Sequence, residues 1–173
     1  MPVTAKRESG DFEKLPTGPQ AAVCCGVHDL GMQQGFQGKL QHKVVIVWEL
    51  SERRKQEPGG GQRFTISNTY TLSLSEKANL TKDLISWRGV PLSEEELSQG
   101  FDIERLIGAN CTLNLVEVTK PNKSPRVVVQ GIMPPIRGTE RLVAEHNREW
   151  MPKWVKDLLT HETAPTDEDD IPF

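Results

Sequence analysis

The last seven residues of the chain carry its most distinctive chemistry. Four acidic residues precede an apolar end: Asp167, Glu168, Asp169 and Asp170, followed by Ile171, Pro172 and Phe173. Repulsion between the carboxylates and the fixed φ of the proline favour an extended segment. Phe173 joins an aromatic ring to the α-carboxylate, which suits a partner pocket with an apolar floor and a basic rim. A tail that only improves solubility is the alternative, but it does not account for the apolar end.

Lysine and arginine residues are concentrated in and beside predicted loops, where they could bind phosphate groups. They are Arg53, Arg54, Lys55 and Arg63 in a first cluster, Lys120, Lys123 and Arg126 in a second, Lys39 and Lys43 beside a turn, and Arg88 after a helix. The net charge is −3, yet residues 14–161 contain 19 basic and 16 acidic residues, a net charge of +3. This distribution indicates a basic surface and an acidic tail with separate functions, the alternative being ordinary solvated loops.

Aromatic residues near these loops could stack on unpaired bases, a contact worth about 1–3 kcal/mol per base. Phe36 lies in a glycine-rich turn, and Trp48 ends an apolar strand near the first basic cluster. Phe64 and Tyr70 share the apolar face of a predicted strand, so burial in the core is the alternative for both. The other tryptophans, Trp87, Trp150 and Trp154, are predicted to pack in the core or between a C-terminal helix and the domain.

The residues that most often serve as nucleophiles or metal ligands form no recognisable motif. Cys24, Cys25, His28 and Cys111 contain no CxxC pair, and strand alternation points the adjacent cysteines to opposite faces. Small buried thiols are therefore the preferred interpretation. Glu94–Glu96 suit a solvated helix N-terminus, and residues 59–61 lack the Lys-Ser/Thr of a phosphate loop. We predict no cofactor and no enzymatic activity; a metal-dependent nuclease is the alternative.

Hydropathy patterning predicts the elements that position these residues. Five strands are expected at residues 21–27, 43–50, 64–74, 111–119 and 126–133, with a helix over 75–87 capped by Ser75. Residues 43–50 are apolar on both faces. Short helices are expected from Ser93 and from Asp102, and a C-terminal helix over 150–159.

The order β-β-β-α-β-β is that of a five-stranded OB-fold barrel, in which the helix lies between the third and fourth strands. The predicted fold class is therefore mainly β, with a C-terminal helix and disordered termini. The predicted organisation is a disordered segment at residues 1–18, the OB domain at 19–139, a helical extension at 140–161 and the acidic tail at 162–173.

Two families share motifs with the chain. Its end resembles the acidic tip of bacterial single-stranded DNA-binding proteins, which closes with Asp-Ile-Pro-Phe. Residues 44–50, 70–89 and 100–116 resemble OB-fold single-strand-binding proteins of tailed bacteriophages, a similarity that spans residues 20–135. The resemblance implies a protein that coats single-stranded DNA during phage replication or recombination and docks replication, recombination and repair proteins through its tip. The long Gly/Gln-rich linker of the bacterial proteins is absent, so the tail has a shorter reach.

These expectations define a working hypothesis. The chain binds single-stranded DNA with little sequence preference; the alternative is an OB-fold adaptor of the replication machinery that does not bind DNA. The N-terminus has no apolar signal region and no span of about 18 apolar residues occurs, so the expected location is the host cytoplasm without membrane association. The sequence leaves open whether the chain forms a homo-oligomer.

Overall fold

The computed structural model describes residues 14–55 and 60–163, and most of this part of the chain belongs to one antiparallel sheet. Its strands are β1 (Gly18–Gln34), β2 (Leu40–Arg53), β3 (Arg63–Thr71), β4 (Asn110–Val118) and β5 (Arg126–Met133). They are ordered β3-β2-β1-β4-β5 across the sheet. The predicted mainly β class and five strands are confirmed, and this order is consistent with an OB-like fold.

The sheet is not closed into the barrel that the sequence predicts. β3 and β5 are its two edges, and no ladder of hydrogen bonds joins them in the described residues. Side chains of both edge strands and of a C-terminal helix line the space between them. An open groove therefore lies where a closed barrel would have its last pair of strands.

The helices are short and lie outside the sheet. They are α1 (Asn79–Arg88), α2 (Glu94–Gln99) and α3 (Lys153–Thr163), and 3-10 turns occur at Phe36–Gly38 and Ile103–Leu106. α1 starts later than predicted and Ser75 is not its cap: the Ala78 N–H donates to the Ser75 carbonyl in a preceding turn. The prediction at Ser93 is correct, since this side chain and Glu96 form a capping box. None of the described helices has the length and apolar character that crossing a membrane requires.

The inner face of the sheet carries the main apolar core. Trp48, Leu113 and Leu115 are fully buried there, and the ring centroids of Trp48 and Trp87 are 6.0 Å apart. The Trp87 indole also donates a hydrogen bond to the Asn110 carbonyl at 2.9 Å, so its predicted core position is confirmed. Leu15 packs against this core although it lies in the segment predicted to be disordered.

A second apolar cluster covers the outer face of β1 and β2. Cys25, Leu30, Val45 and Val47 pack there against Val155 of α3. The connection from β5 to α3, residues 134–152, crosses this face as an irregular segment that we call the strap. β2 is apolar on both faces because one face borders the main core and the other borders the strap and α3.

Side chains of the sheet hold the strap through its backbone. The Asn110 side chain donates to and accepts from the backbone of Leu142 at 2.9 and 2.7 Å, and a ring nitrogen of His28 bonds the Trp150 carbonyl at 2.9 Å. These bonds satisfy backbone groups in a segment without regular structure. The strap and α3 are therefore part of the folded unit.

Candidate nucleic-acid interface

Topology brings the two predicted basic loops to the same end of the sheet. β2 and β4 both run antiparallel to the central strand β1. Their C-terminal ends, and therefore the β2–β3 and β4–β5 connections, lie where β1 begins. The β1–β2 turn with Lys39 lies at the opposite end of these strands. The two basic clusters were predicted to lie in these loops. In the structure the two loops are at the same end of the sheet.

Two arginines of the first basic cluster form ion pairs within the protein, Arg53 at the surface and Arg63 nearly buried. Arg53 forms a two-pronged ion pair with Glu145 of the strap at 2.8 and 2.9 Å. Arg63 is only 11% exposed, lies 3.6 Å from the Glu49 carboxylate and donates to the Val143 carbonyl at 2.7 Å. Neighbouring carboxylates balance the charges of both arginines, which lowers their attraction for a phosphate backbone. Arg54 and Lys55 lie next to them in the same connection.

The second basic cluster is exposed and unbalanced. Lys120, Lys123 and Arg126 lie in and beside the β4–β5 loop, and all three are exposed. Within the described ranges none of them forms an ion pair, and Lys120, Lys123 and Arg126 line one small hollow. Three unpaired positive charges on one loop form the kind of surface that attracts a phosphate backbone.

Arg126 also belongs to the groove between the edge strands. This seam groove has a volume of about 510 Å³ and is lined by Ser67–Thr69 of β3, Arg126–Val129 of β5 and Trp154 of α3. The wall formed by β3 is polar, and the wall formed by β5 contains three valines. Because Arg126 is common to the groove and to the second basic cluster, the two form one continuous surface.

Trp154 supplies an exposed aromatic ring to the seam groove. Its side chain is 44% exposed and is not part of the outer cluster, in contrast to the prediction that it packs the C-terminal helix onto the domain. That prediction is correct for Trp150, whose ring lies 3.9 Å from the ring of His146. Met151, Val155, Leu158 and Leu159 form the packed stripe of this region, and Trp154 falls beside it. Positions 151, 154, 155 and 158 have the i, i+3, i+4, i+7 spacing of one helix face, so the sequence pattern alone could not have identified Trp154 as accessible.

Three of the four rings considered for base stacking are enclosed. Trp48, Phe64 and Tyr70 are at most 7% exposed and belong to the main core. The Tyr70 hydroxyl donates to Asp83 at 2.6 Å, and burial raises the pKa of this tyrosine. A base cannot stack on these rings in this structure. Their burial supports the alternative that they belong to the core. The side chain of Phe36 and all of Asp167–Phe173 lie outside what the structure describes.

The remaining predicted phosphate contacts do not line the seam groove. Lys39 is exposed at the β1–β2 turn, and the Lys43 ammonium donates to the Thr71 hydroxyl at 2.6 Å. Arg88 is paired with Glu96 at 2.9 Å and lies 5.7 Å from the centre of the Phe101 ring. Pairing with Glu96 offsets the charge of Arg88. These residues are therefore not brought together with the second basic cluster.

The cysteines lack the features of reactive thiols. All three are buried, and burial raises the pKa of Cys24 to about 12 and the pKa of Cys25 and Cys111 as well. A nucleophilic cysteine needs an accessible thiolate. The expectation that these are small buried thiols is confirmed.

No protein-family model and no curated protein matches the chain. The fold and the surface chemistry therefore carry the functional conclusion.

Proposed function

We propose that this protein binds single-stranded DNA along the seam groove and the adjoining β4–β5 loop. The observation that carries the proposal is the continuity of three unpaired cations with a groove that exposes one tryptophan. Lys120, Lys123 and Arg126 would contact phosphates, while Trp154 would stack on an unpaired base. Both contacts are independent of sequence, because every nucleotide has a phosphate and every base has a π-face.

The position of the surface agrees with how OB-like domains use their loops. In that architecture the β4–β5 loop flanks the oligonucleotide-binding face. Here the strap and α3 cover the outer face of β1 and β2, which shifts the accessible strip to β3, β5 and the seam groove between them. A domain of this kind occludes on the order of 4–16 nucleotides. The protein acts by stoichiometric coating, without turnover, during phage DNA replication or recombination.

A titration of labelled oligo-dT tests the proposal. Full-length protein should bind the oligomer in preference to duplex DNA of equal length, with an affinity that falls steeply between 50 and 200 mM salt. A version ending at residue 166 should bind equally well or better, because it lacks four carboxylates. An affinity that does not change with salt, or absence of binding, would contradict the proposal and favour the adaptor alternative.

Trp154 gives this titration an internal probe. Trp48 and Trp87 are buried and Trp150 is half-buried, so oligo-dT should quench chiefly the fluorescence of Trp154. We expect Trp154→Phe to remove most of the quenching while retaining binding, and Trp154→Ala to weaken binding about 5- to 150-fold. An abasic oligomer, which has the phosphates but no bases, should bind wild type and Trp154→Ala alike. Quenching that persists in Trp154→Phe would exclude this ring as the stacking site.

The acidic tail is proposed to dock replication, recombination or repair proteins. The ten residues after α3 span at most about 35 Å when extended, so a docked partner would be held close to the domain. Phe173 would fill an apolar pocket while the four acidic residues meet its basic rim.

Removal of Ile171–Phe173 tests this role. We expect the truncated protein to lose capture of host replication proteins while it binds oligo-dT as tightly as the full chain. A variant with Thr163→Ala and an intact tip serves as the control. Undiminished capture by the truncated protein would disprove docking through the tip.

A further inference from the structure

The outer cluster contains three potential metal ligands that the proposed function does not use. They are the Cys25 thiol on β1, the Glu49 carboxylate on β2 and the His146 imidazole on the strap. Each residue contributes one donor atom, and these three atoms all lie within 4.8 Å of one another. Cys25 and Glu49 are buried, and His146 is half-buried.

The imidazole nitrogen that faces this group lacks a hydrogen bond. His146 Nδ1 is buried and has no partner among the described residues, although it lies 3.4 Å from the Glu49 Oε2 atom. Buried ring nitrogens are normally hydrogen-bonded, so an unpaired one requires an explanation. The Cys25 thiol donates a hydrogen bond to the Val47 carbonyl at 3.5 Å, and burial together with the nearby Glu49 carboxylate raises the pKa of this thiol.

The Glu49 carboxylate presents two different sides. Its Oε1 atom faces Arg63 at 3.6 Å, and both oxygens accept the Glu145 N–H at 3.0 Å. The Oε2 atom also accepts the His146 N–H at 3.2 Å and faces the imidazole ring. The contact with Arg63 and the contact with the imidazole ring therefore involve different oxygens of the carboxylate.

We propose that Cys25, Glu49 and His146 bind a Zn²⁺ ion that fastens the strap to the sheet. Sulfur, imidazole nitrogen and carboxylate oxygen are the three donor types that zinc prefers, with bonds of about 2.0–2.3 Å. Tetrahedral neighbours would then lie about 3.5 Å apart, so the longest separation must shorten by roughly 1 Å. A thiolate, a carboxylate and a neutral imidazole balance the charge of the ion. Water would complete the fourth position.

The two adjacent cysteines provide a matched pair for the test. Cys24 lies in the main core and Cys25 in the outer cluster, so only one of these neighbouring buried thiols can reach Glu49 and His146. Full-length protein is freed of metal with a chelator and titrated with Co²⁺. A thiolate bound to Co²⁺ gives a charge-transfer absorption band in the near-ultraviolet region. Zn²⁺ is then added in competition.

We expect one Co²⁺ per chain with a thiolate charge-transfer band, in wild type and in Cys24→Ser, and displacement by Zn²⁺. Cys25→Ser should lose the band and weaken binding by more than about 100-fold, since even the outer partners of a metal contribute 10- to 100-fold. His146→Gln, on the half-buried strap, should weaken Co²⁺ binding while the band is still seen at saturation. Zn²⁺ should also raise the Tm of wild type and Cys24→Ser but not of Cys25→Ser. Equal bands in both serine variants, or no thiolate band in wild type, would overturn the proposal.

Discussion

Replacing Glu49 with alanine is expected to lower the free energy of unfolding by about 3–5 kcal/mol. Its carboxylate is fully buried and accepts hydrogen bonds from the backbone N–H groups of Glu145 and His146. It also lies 3.6 Å from the guanidinium of Arg63. Removal would leave two strap N–H groups without an acceptor, and the nearly buried Arg63 would keep only a longer ion pair with Glu145 at 3.8 Å and its bond to the Val143 carbonyl. Loss of one member of a buried charged pair is costly for this reason.

Urea unfolding followed by circular dichroism measures the effect, with EDTA present so that a bound metal does not contribute. Glu145→Ala is the matched control, because it removes a carboxylate from the same network. Glu145 is exposed and pairs with Arg53 at the surface, where hydrogen bonding to Arg53 lowers the pKa of the Glu145 carboxyl. Exposed pairs contribute little, so this variant should lie close to wild type. Equal destabilisation in the two variants would show that Glu49 does not anchor the strap.

The strands were predictable because alternation is a local property of the sequence. β5 has the predicted bounds, and β4 differs from the prediction by one residue at each end. β1 extends seven residues beyond its predicted end, β2 is three residues longer at each end, and β3 ends three residues early. Strand alternation also places Cys24 and Cys25 correctly on opposite faces, one in each apolar cluster. The apolar outer face of β2 was visible in the sequence, but nothing local indicated that the strap would cover it. The strap has no periodicity, since its order comes from contacts with distant side chains.

The candidate site was only partly predictable for a related reason. A basic residue can be identified from sequence, but its availability depends on which carboxylates the fold brings near. Arg53 and Glu145 are 92 positions apart, and their ion pair removes one predicted phosphate contact. The seam groove was missed because the sequence pattern gives strand order without showing whether the last pair closes. Trp154 became a candidate only once α3 was positioned beside that opening.

Replacing Lys120, Lys123 and Arg126 together with glutamine should cause the largest loss of DNA affinity. Each phosphate contact on a single strand contributes about 0.7 to the slope of log affinity against log salt. Three lost contacts reduce the slope by about 2. With no contribution from these contacts at 1 M salt, this slope gives an affinity about 500-fold weaker at 50 mM salt and about 30-fold weaker at 200 mM. The loss should shrink as salt rises, because salt weakens the same contacts in the wild-type protein.

Fluorescence anisotropy of labelled oligo-dT at four salt concentrations measures both the loss and the slope. The control replaces Lys77, Lys82 and Arg105, three exposed cations that lie in or near α1 and in the second 3-10 turn. α1 contacts the far end of β5, where the Ser86 hydroxyl donates to the Ile132 carbonyl, about 20 Å along the strand from Arg126. Both triple variants lower the net charge by three, so a difference between them reports position rather than total charge. Equal losses of affinity would mean that DNA responds to the overall charge of the domain, and the second basic cluster would then have no special role.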